Sequence, residues 1–248
     1  MKYTQFCSFE ISDVCNRGRE HTACPNMHPD RWKFSAGKRP MTDDQIIAVA
    51  EAMHAGGFTG CFAWHHYCEP LTRWPRLRDV IARIRVRVPS ARFLLWTNGD
   101  LIPDDLSEFV GVFEQAMITN YAGRDLSRLS AVFPAIHHIP TTLDWRLNPP
   151  THFGREPHCI RPYLEIVFDY YGNVRTCCMD WTGETSIGNI HDTPFQELWK
   201  MWLVRRDELA ATPMAETAPR RCLACGTRYI HLAHYVPEIA ARTLEHIR

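Results

Sequence analysis

The chain lacks any apolar run of the roughly 18–20 residues that a membrane-spanning helix needs. It also lacks net charge: 28 lysines and arginines balance 28 acidic residues. Nothing therefore invites nucleic acid or draws the chain to an acidic membrane surface. The opening stretch, MKYTQFCSFEIS, has no apolar block of the kind a signal peptide carries. These absences predict a soluble, cytoplasmic protein with no nucleic-acid and no membrane partner. Lysine is scarce, present only as Lys2, Lys33, Lys38 and Lys200. Cysteine is missing from the whole stretch 69–158.

Elsewhere cysteine is plentiful. Cys7, Cys15, Cys24, Cys61 and Cys68 lie in the first third, and Cys159, Cys177, Cys178, Cys222 and Cys225 in the last. In a reducing compartment, ten cysteines in 248 residues point to metal ligands, catalytic thiols or small core residues rather than disulfides. Their separation into two neighbourhoods suggests two sites.

Strand-like and helix-like stretches alternate through the first part of the chain. Residues 5–12 read as a strand. Residues 41–57 read as a helix capped by Thr42 and stopped by Gly56 and Gly57, and 58–64 as a second strand. Residues 71–89 read as a helix ended by Pro89, with its basic residues on a solvated face. A strand follows at 91–99, a helix at 102–113, a strand at 114–121, a short helix at 125–133 and a strand at 135–143. Short connections between such units argue for parallel strands with crossover helices. There are too few units to close an eight-unit barrel, so the expected fold is α/β, a partial, open TIM-like β/α barrel. The proline-rich stretch 146–159 changes the rhythm. A hairpin with DYYGN as its turn follows at 163–178, then a helix at 193–211 and a loop bearing C-x-x-C. This divides the chain into a barrel-like domain, 1–145, and a small C-terminal module, 146–248.

Cys159 precedes Gly172 by 12 intervening residues, Cys177 follows Gly172 by four, and Cys222 and Cys225 form a C-x-x-C pair. Four such thiolates suit either a structural zinc or a [4Fe–4S] cluster, and spacing alone leaves both open. Cys177 and Cys178 are adjacent on a strand and point to opposite faces, so only one belongs to the set, and the glycine spacing selects Cys177.

The residues CIRPYLEIVFDYYGNVRTCCMD, IGNIHDTPFQELW and CLACG resemble those of a radical S-adenosylmethionine (SAM) enzyme with a C-terminal SPASM or twitch module. Cysteines beyond Cys225, which a full SPASM domain would carry, are absent, and that favours the shorter twitch form with one auxiliary cluster. Length and four-cysteine spacing most resemble the family's twitch-type aminocyclitol dehydrogenases. The resemblance implies that Cys159, Cys177, Cys222 and Cys225 hold an auxiliary [4Fe–4S] cluster. It also implies a SAM-binding cluster on the loop after the first strand, where the family has three cysteines.

Here Cys15 and Cys24 match the first and third of those cysteines, and the second is missing. His21 gives C-x5-H-x2-C, and imidazole can replace thiolate on a cluster iron. Met27 and Cys68 are the other candidates for the third ligand. The family's G-G-E-P appears as Tyr67, Cys68, Glu69 and Pro70, so the Glu–Pro half remains. Asn98 and Asn120 resemble segments that face SAM. Of the pairs His65–His66 and His137–His138, strand alternation lets only one of each look into the barrel.

The resemblance implies an enzyme of small-molecule, natural-product biosynthesis that forms a 5′-deoxyadenosyl radical. It would oxidise a sugar-, aminocyclitol- or nucleoside-like substrate with the help of an external electron donor. The rival readings are a degenerate relative that does not cleave SAM and transfers sulfur from its cluster or a thiol, and a zinc-stapled binding protein without enzymatic activity.

Overall fold

The structure is a computed structural model that describes residues 4–18, 20, 24–31, 39–133, 135–139 and 161–211. Its frame is an open sheet. Strands β1 (Phe6–Phe9), β2 (Cys61–Trp64), β3 (Arg92–Thr97), β4 (Gln115–Thr119) and β5 (Ala135–Ile139) lie side by side in chain order, all parallel. β6 (Glu165–Phe168) returns to the free edge of β1 and pairs with it in parallel, Phe6 to Glu165 and Phe9 to Phe168. β7 (Asn173–Arg175) and β8 (Ser186–Asn189) continue the sheet antiparallel, giving the order β5-β4-β3-β2-β1-β6-β7-β8. This is the open partial barrel expected from the sequence. The 145/146 boundary falls outside the described residues, and the sheet continues into the later segment through β6.

The alternation of side chains along each strand separates two faces. Cys7, Phe9, Phe62, Trp64, Phe93, Leu95, Ile118, Ile166 and Phe168 belong to the main apolar core. Helices α1 (Asp43–Ala55), α2 (Trp74–Arg87) and α3 (Phe195–Ala211) contribute Ile46, Met53, Leu77, Ile81, Leu198 and Trp202 to the same core. Each such side chain stabilises the fold by about 1.5–3 kcal/mol on burial. The opposite, inner face mixes small apolar residues, Cys61, Ala63, Leu94 and Met117, with Ser8, Glu10, His65 and Glu165.

The local signals have physical counterparts. Thr42 caps α1 in a capping box: its hydroxyl accepts from Gln45 N at 3.2 Å, and Gln45 Oε1 accepts from Thr42 N at 3.0 Å. The DYYGN turn closes at Gly172, whose φ of +78° suits glycine, and Asp169 Oδ1 accepts from Asn173 N at 2.9 Å. Arg76 leaves the solvated face expected of α2. It reaches back to Ile11 O at 3.1 Å and Met41 O at 2.9 Å.

The helix expected over 102–113 is a correction: only a 3₁₀ turn, Ser107–Phe109, forms there. Pro103 removes a donor, Asp105 diverts Ser107 N into its own turn at 2.9 Å, and Gly111 adopts a left-handed φ of +68°. Phe109 still serves the core, stacked on Trp74 at 4.3 Å.

Gly60 leads into β2 against β1. A Cβ there would lie 2.2 Å from Gln5 O, the carbonyl that accepts from Cys61 N at 2.8 Å. Gly60→Ala must push backbone against backbone, so we expect a loss of about 1–3 kcal/mol, read as a lower urea midpoint with unchanged slope.

Candidate active site at the carboxyl ends of the strands

In open α/β sheets, ligands bind at the carboxyl ends of the strands. Here those ends are pinned together by polar side chains. After β1 the chain turns at Cys15, and Arg17 in that turn makes a short bidentate ion pair with Asp100 beyond β3. Asn98, also beyond β3, donates to Asn16 Oδ1 at 2.8 Å and lies 3.9 Å from Cys15 Sγ. Burial pushes the Cys15 thiol above its ordinary value.

Cys24 is buried at the start of the 3₁₀ turn Pro25–Met27. Cys68, after β2, donates to Asn26 Oδ1 at 3.4 Å, and the next residue's N–H, on Glu69, donates to Val14 O at 3.1 Å. Cys68 is thereby placed between the Cys15 and Cys24 segments. Met27 packs its sulfur toward Gly18, 2.9 Å from where a Cβ there would sit. His21 lies outside the described residues. Cys7 is fully buried in the core on the far face.

Among the described residues, no three His, Cys, Asp or Glu side chains converge on a point that would hold a single metal ion. The soft thiols of Cys15, Cys24 and Cys68 nonetheless suit iron–sulfur chemistry, which spreads its protein ligands over separate irons.

Glu69 braces β2 to β3. Oε1 accepts from Leu71 N at 3.1 Å and Thr97 Oγ1 at 2.7 Å, and Oε2 from Asn98 N at 2.8 Å. Burial lifts its pKa to about 7 even against those donors. Asn120 closes its own loop, donating to Arg124 O at 2.7 Å and accepting from Arg124 N at 2.9 Å.

The adjacent histidines lie just beyond β2, which ends at Trp64, and enter separate hydrogen-bond networks. His66 is sealed in a network with Glu10 and Arg31. Arg31 donates to Glu10 at 2.6 and 2.8 Å and to His66 Nδ1 at 3.1 Å, and His66 Nε2 faces Cys178 O at 3.2 Å. Burial lowers the His66 pKa to about 4. His65 faces the inner side, its Nε2 3.0 Å from Ser8 Oγ and 2.8 Å from Glu165 Oε1. Burial raises the Glu165 pKa, but His65 and the hydrogen bonds of Ser8 and Cys178 outweigh it and hold the carboxyl at about 2.

The later segment docks through these same groups. Cys178 O also accepts from Tyr67 Oη at 2.6 Å, and Arg31 donates to Trp181 O at 3.2 Å. The pair Asp169–Arg175, fully buried at 2.5 Å, stands behind the loop, and Asp180 folds it by accepting from Gly183, Glu184 and Thr185 N–H groups at 2.7–3.0 Å. Cys177 Sγ accepts from Met179 N at 3.3 Å, whereas the Cys178 thiol hydrogen-bonds Glu165. Cys159, Cys222 and Cys225 lie outside the described residues, as do the side chains of His137 and His138. The partners Ser8, Glu10 and Glu165 were missed in the sequence, although the alternation Cys7, Ser8, Phe9, Glu10, Ile11, Ser12 marks a strand with one polar face.

A half-barrel carrying thiols at its strand ends, followed by a cysteine-bearing hairpin, defines the class. Residues 159–226 match the SPASM model, an iron-sulfur cluster-binding domain. Two solved structures share the fold. BtrN in an open conformation is 17% identical, with a TM-score of 0.63 over 88% of this chain and 91% of that one. BtrN in complex with AdoMet and 2-DOIA is 19% identical, with a TM-score of 0.63 over 91% of this chain and 97% of that one. No curated protein matches the sequence. The resemblance read from the sequence thus holds at the level of fold and iron–sulfur module. Among the described residues no helix is long and apolar enough to cross a membrane.

Proposed function

We infer that the protein is a radical SAM-type oxidoreductase acting on a polar small molecule of the sugar, aminocyclitol or nucleoside class. The observation that carries this reading is the pairing of an iron–sulfur module over 159–226 with a half-barrel whose carboxyl end gathers Cys15, Cys24 and Cys68. The likeness to BtrN bound to AdoMet and 2-DOIA supports the substrate class.

In this reading Cys15 and Cys24, with His21 or Cys68, hold a SAM-binding cluster, while Asn98 and Asn120 border the cofactor. Glu69 sets the ends of β2 and β3 around it. Cys159, Cys177, Cys222 and Cys225 hold the second cluster. When bound, the first cluster and SAM supply a 5′-deoxyadenosyl radical, and the second cluster accepts an electron. The chain's part is to position the substrate, exclude water and take up a proton.

Anaerobically reconstituted protein is expected to hold about eight irons per chain. Cys177→Ser should lose about four of them and Cys178→Ser none. The reduced protein should convert SAM to 5′-deoxyadenosine. About four irons and no 5′-deoxyadenosine would replace this reading with that of a relative that has lost SAM cleavage. A colourless zinc protein would remove both.

A further inference from the structure

The inner face carries a second buried polar group besides the sealed Glu10–Arg31–His66 network. Ser8 on β1, His65 after β2 and Glu165 on β6 meet within 3.0 Å of one another. The two groups differ in what they reach. The His66 and Glu10 side chains are 0% and 1% exposed, and those of His65 and Glu165 are each 10% exposed, so of these four only His65 and Glu165 keep side-chain access to solvent.

Proton positions follow from the contacts. Ser8 Oγ donates to Glu165 Oε1 at 2.5 Å, so its oxygen is left to accept. His65 Nε2, facing that oxygen and the Glu165 carboxylate, is therefore a donor N–H. Its proton-accepting atom is then Nδ1, for which no hydrogen-bond partner occurs among the described residues. Trp96 packs against the ring with centroids 4.9 Å apart and planes tilted by 30°. A carboxylate that fixes the tautomer, a hydroxyl beside it and an open ring nitrogen make up an oriented general base.

We propose that His65, held by Glu165 and Ser8, is the base that accepts the substrate's hydroxyl proton through Nδ1. This rests on the oxidoreductase reading above. Oxidation of CH–OH to C=O removes one hydrogen atom, one electron and one proton. Bound SAM would supply the 5′-deoxyadenosyl radical that removes the hydrogen atom from carbon, ending as 5′-deoxyadenosine, and an oxidised iron–sulfur cluster held by 159–226 would take the electron as the C=O bond forms. His65 takes the proton from oxygen and becomes imidazolium, stabilised by Glu165. Among the described residues, the titratable groups that act on Glu165 or feel it are Cys178, which hydrogen-bonds it from the loop after β7, and Cys7 on β1. Glu10 and Arg31 are engaged with His66.

The test uses anaerobic holoenzyme with SAM and a panel of ring-deuterated cyclitols, aminocyclitols and nucleosides. Two products are measured in one sample: deuterated 5′-deoxyadenosine and ketone. In His65→Gln and Glu165→Gln, deuterium transfer should continue while the ratio of ketone to 5′-deoxyadenosine falls about 100-fold. Added imidazole should restore ketone in His65→Ala. Partial unfolding would lower both products together and leave the ratio unmoved. An unchanged ratio in His65→Gln, or no imidazole rescue of a lowered one, overturns the base while leaving the oxidoreductase reading intact. Failure of the unsubstituted enzyme to transfer deuterium from any member of the panel overturns the reading and this assignment with it.

Discussion

Glu10→Ala is expected to cost the fold about 3–5 kcal/mol, the loss that follows when one partner of a buried ion pair is removed. Arg31 is 0% exposed, so its charge would be stranded in the interior. Glu10 also accepts from Tyr67 N at 3.1 Å and Tyr170 N at 3.3 Å, which would lose their partner. Burial works against the ionised form of Glu10, yet Arg31 and His66 hold its carboxyl well below the usual range. The loss should appear as a lower urea midpoint with little change in slope. The double variant Glu10→Gln/Arg31→Met should recover most of it, because replacing both charges removes the stranded one and glutamine still accepts from Tyr67 N. A single variant that costs under about 1 kcal/mol, or a double variant no better than the single, would show that the pair is not what closes this interior. The effect reaches function through position. Arg31 and His66 hold the carbonyls of Trp181 and Cys178, so slackening the pair loosens the loop that carries Cys177.

How much of this was legible in the sequence depended on the distance over which each contact acts. Thr42 with Gln45, and Asp169 with Gly172 and Asn173, are separated by three or four residues, and those features were read correctly. His65 and His66 lie beyond the end of β2 at Trp64, so their different partners come from the turn of the chain there and not from the strand period on which the expectation rested. The failed helix at 102–113 lost to Pro103 and Gly111, which outweighed an apolar pattern that was real: Phe109 and Phe113 are both in the core. The pairing of β6 with β1 joins Phe6 to Glu165, and no local propensity encodes such a register. The base candidate depends on that register, since Ser8 and Glu165 are 157 residues apart and meet only once β6 has taken the edge of β1. Cys15 and Asn98 were named from motif resemblance, and their 3.9 Å approach follows from Arg17 and Asn16 clamping one strand end to another.

Two buried groups at the site should also leave opposite marks on the pH dependence of stability. His66 is held at about 4 by burial, against an ordinary value of 6.5. Between those values the unfolded chain binds a proton that the native state refuses, so this histidine makes stability rise with pH from about 4 to 6.5. Glu69 is lifted by burial to about 7 from an ordinary 4.5, so the native state keeps a proton that the unfolded chain has released. Its contribution is greatest below the unfolded value and falls as pH rises from about 4.5 to 7. Each displacement of about 2.5 units corresponds to about 3 kcal/mol. Across the shared interval the two slopes oppose each other, and the unsubstituted chain shows little net dependence from this pair. His66→Gln should unmask the fall, with stability dropping by about 3 kcal/mol between pH 4.5 and 7. Glu69→Gln should unmask the rise, gaining about 3 kcal/mol between pH 4 and 6.5. Absolute stabilities will shift as well, because both side chains make hydrogen bonds, so the slope is the quantity to read. Urea unfolding of iron-free protein at half-unit pH steps supplies it. At lower pH all three proteins should weaken together, because protonation of Glu165, held at about 2, breaks its contacts with His65 and Ser8. Parallel profiles for the three proteins between pH 4.5 and 6.5 would mean that neither group is buried as the structure places it.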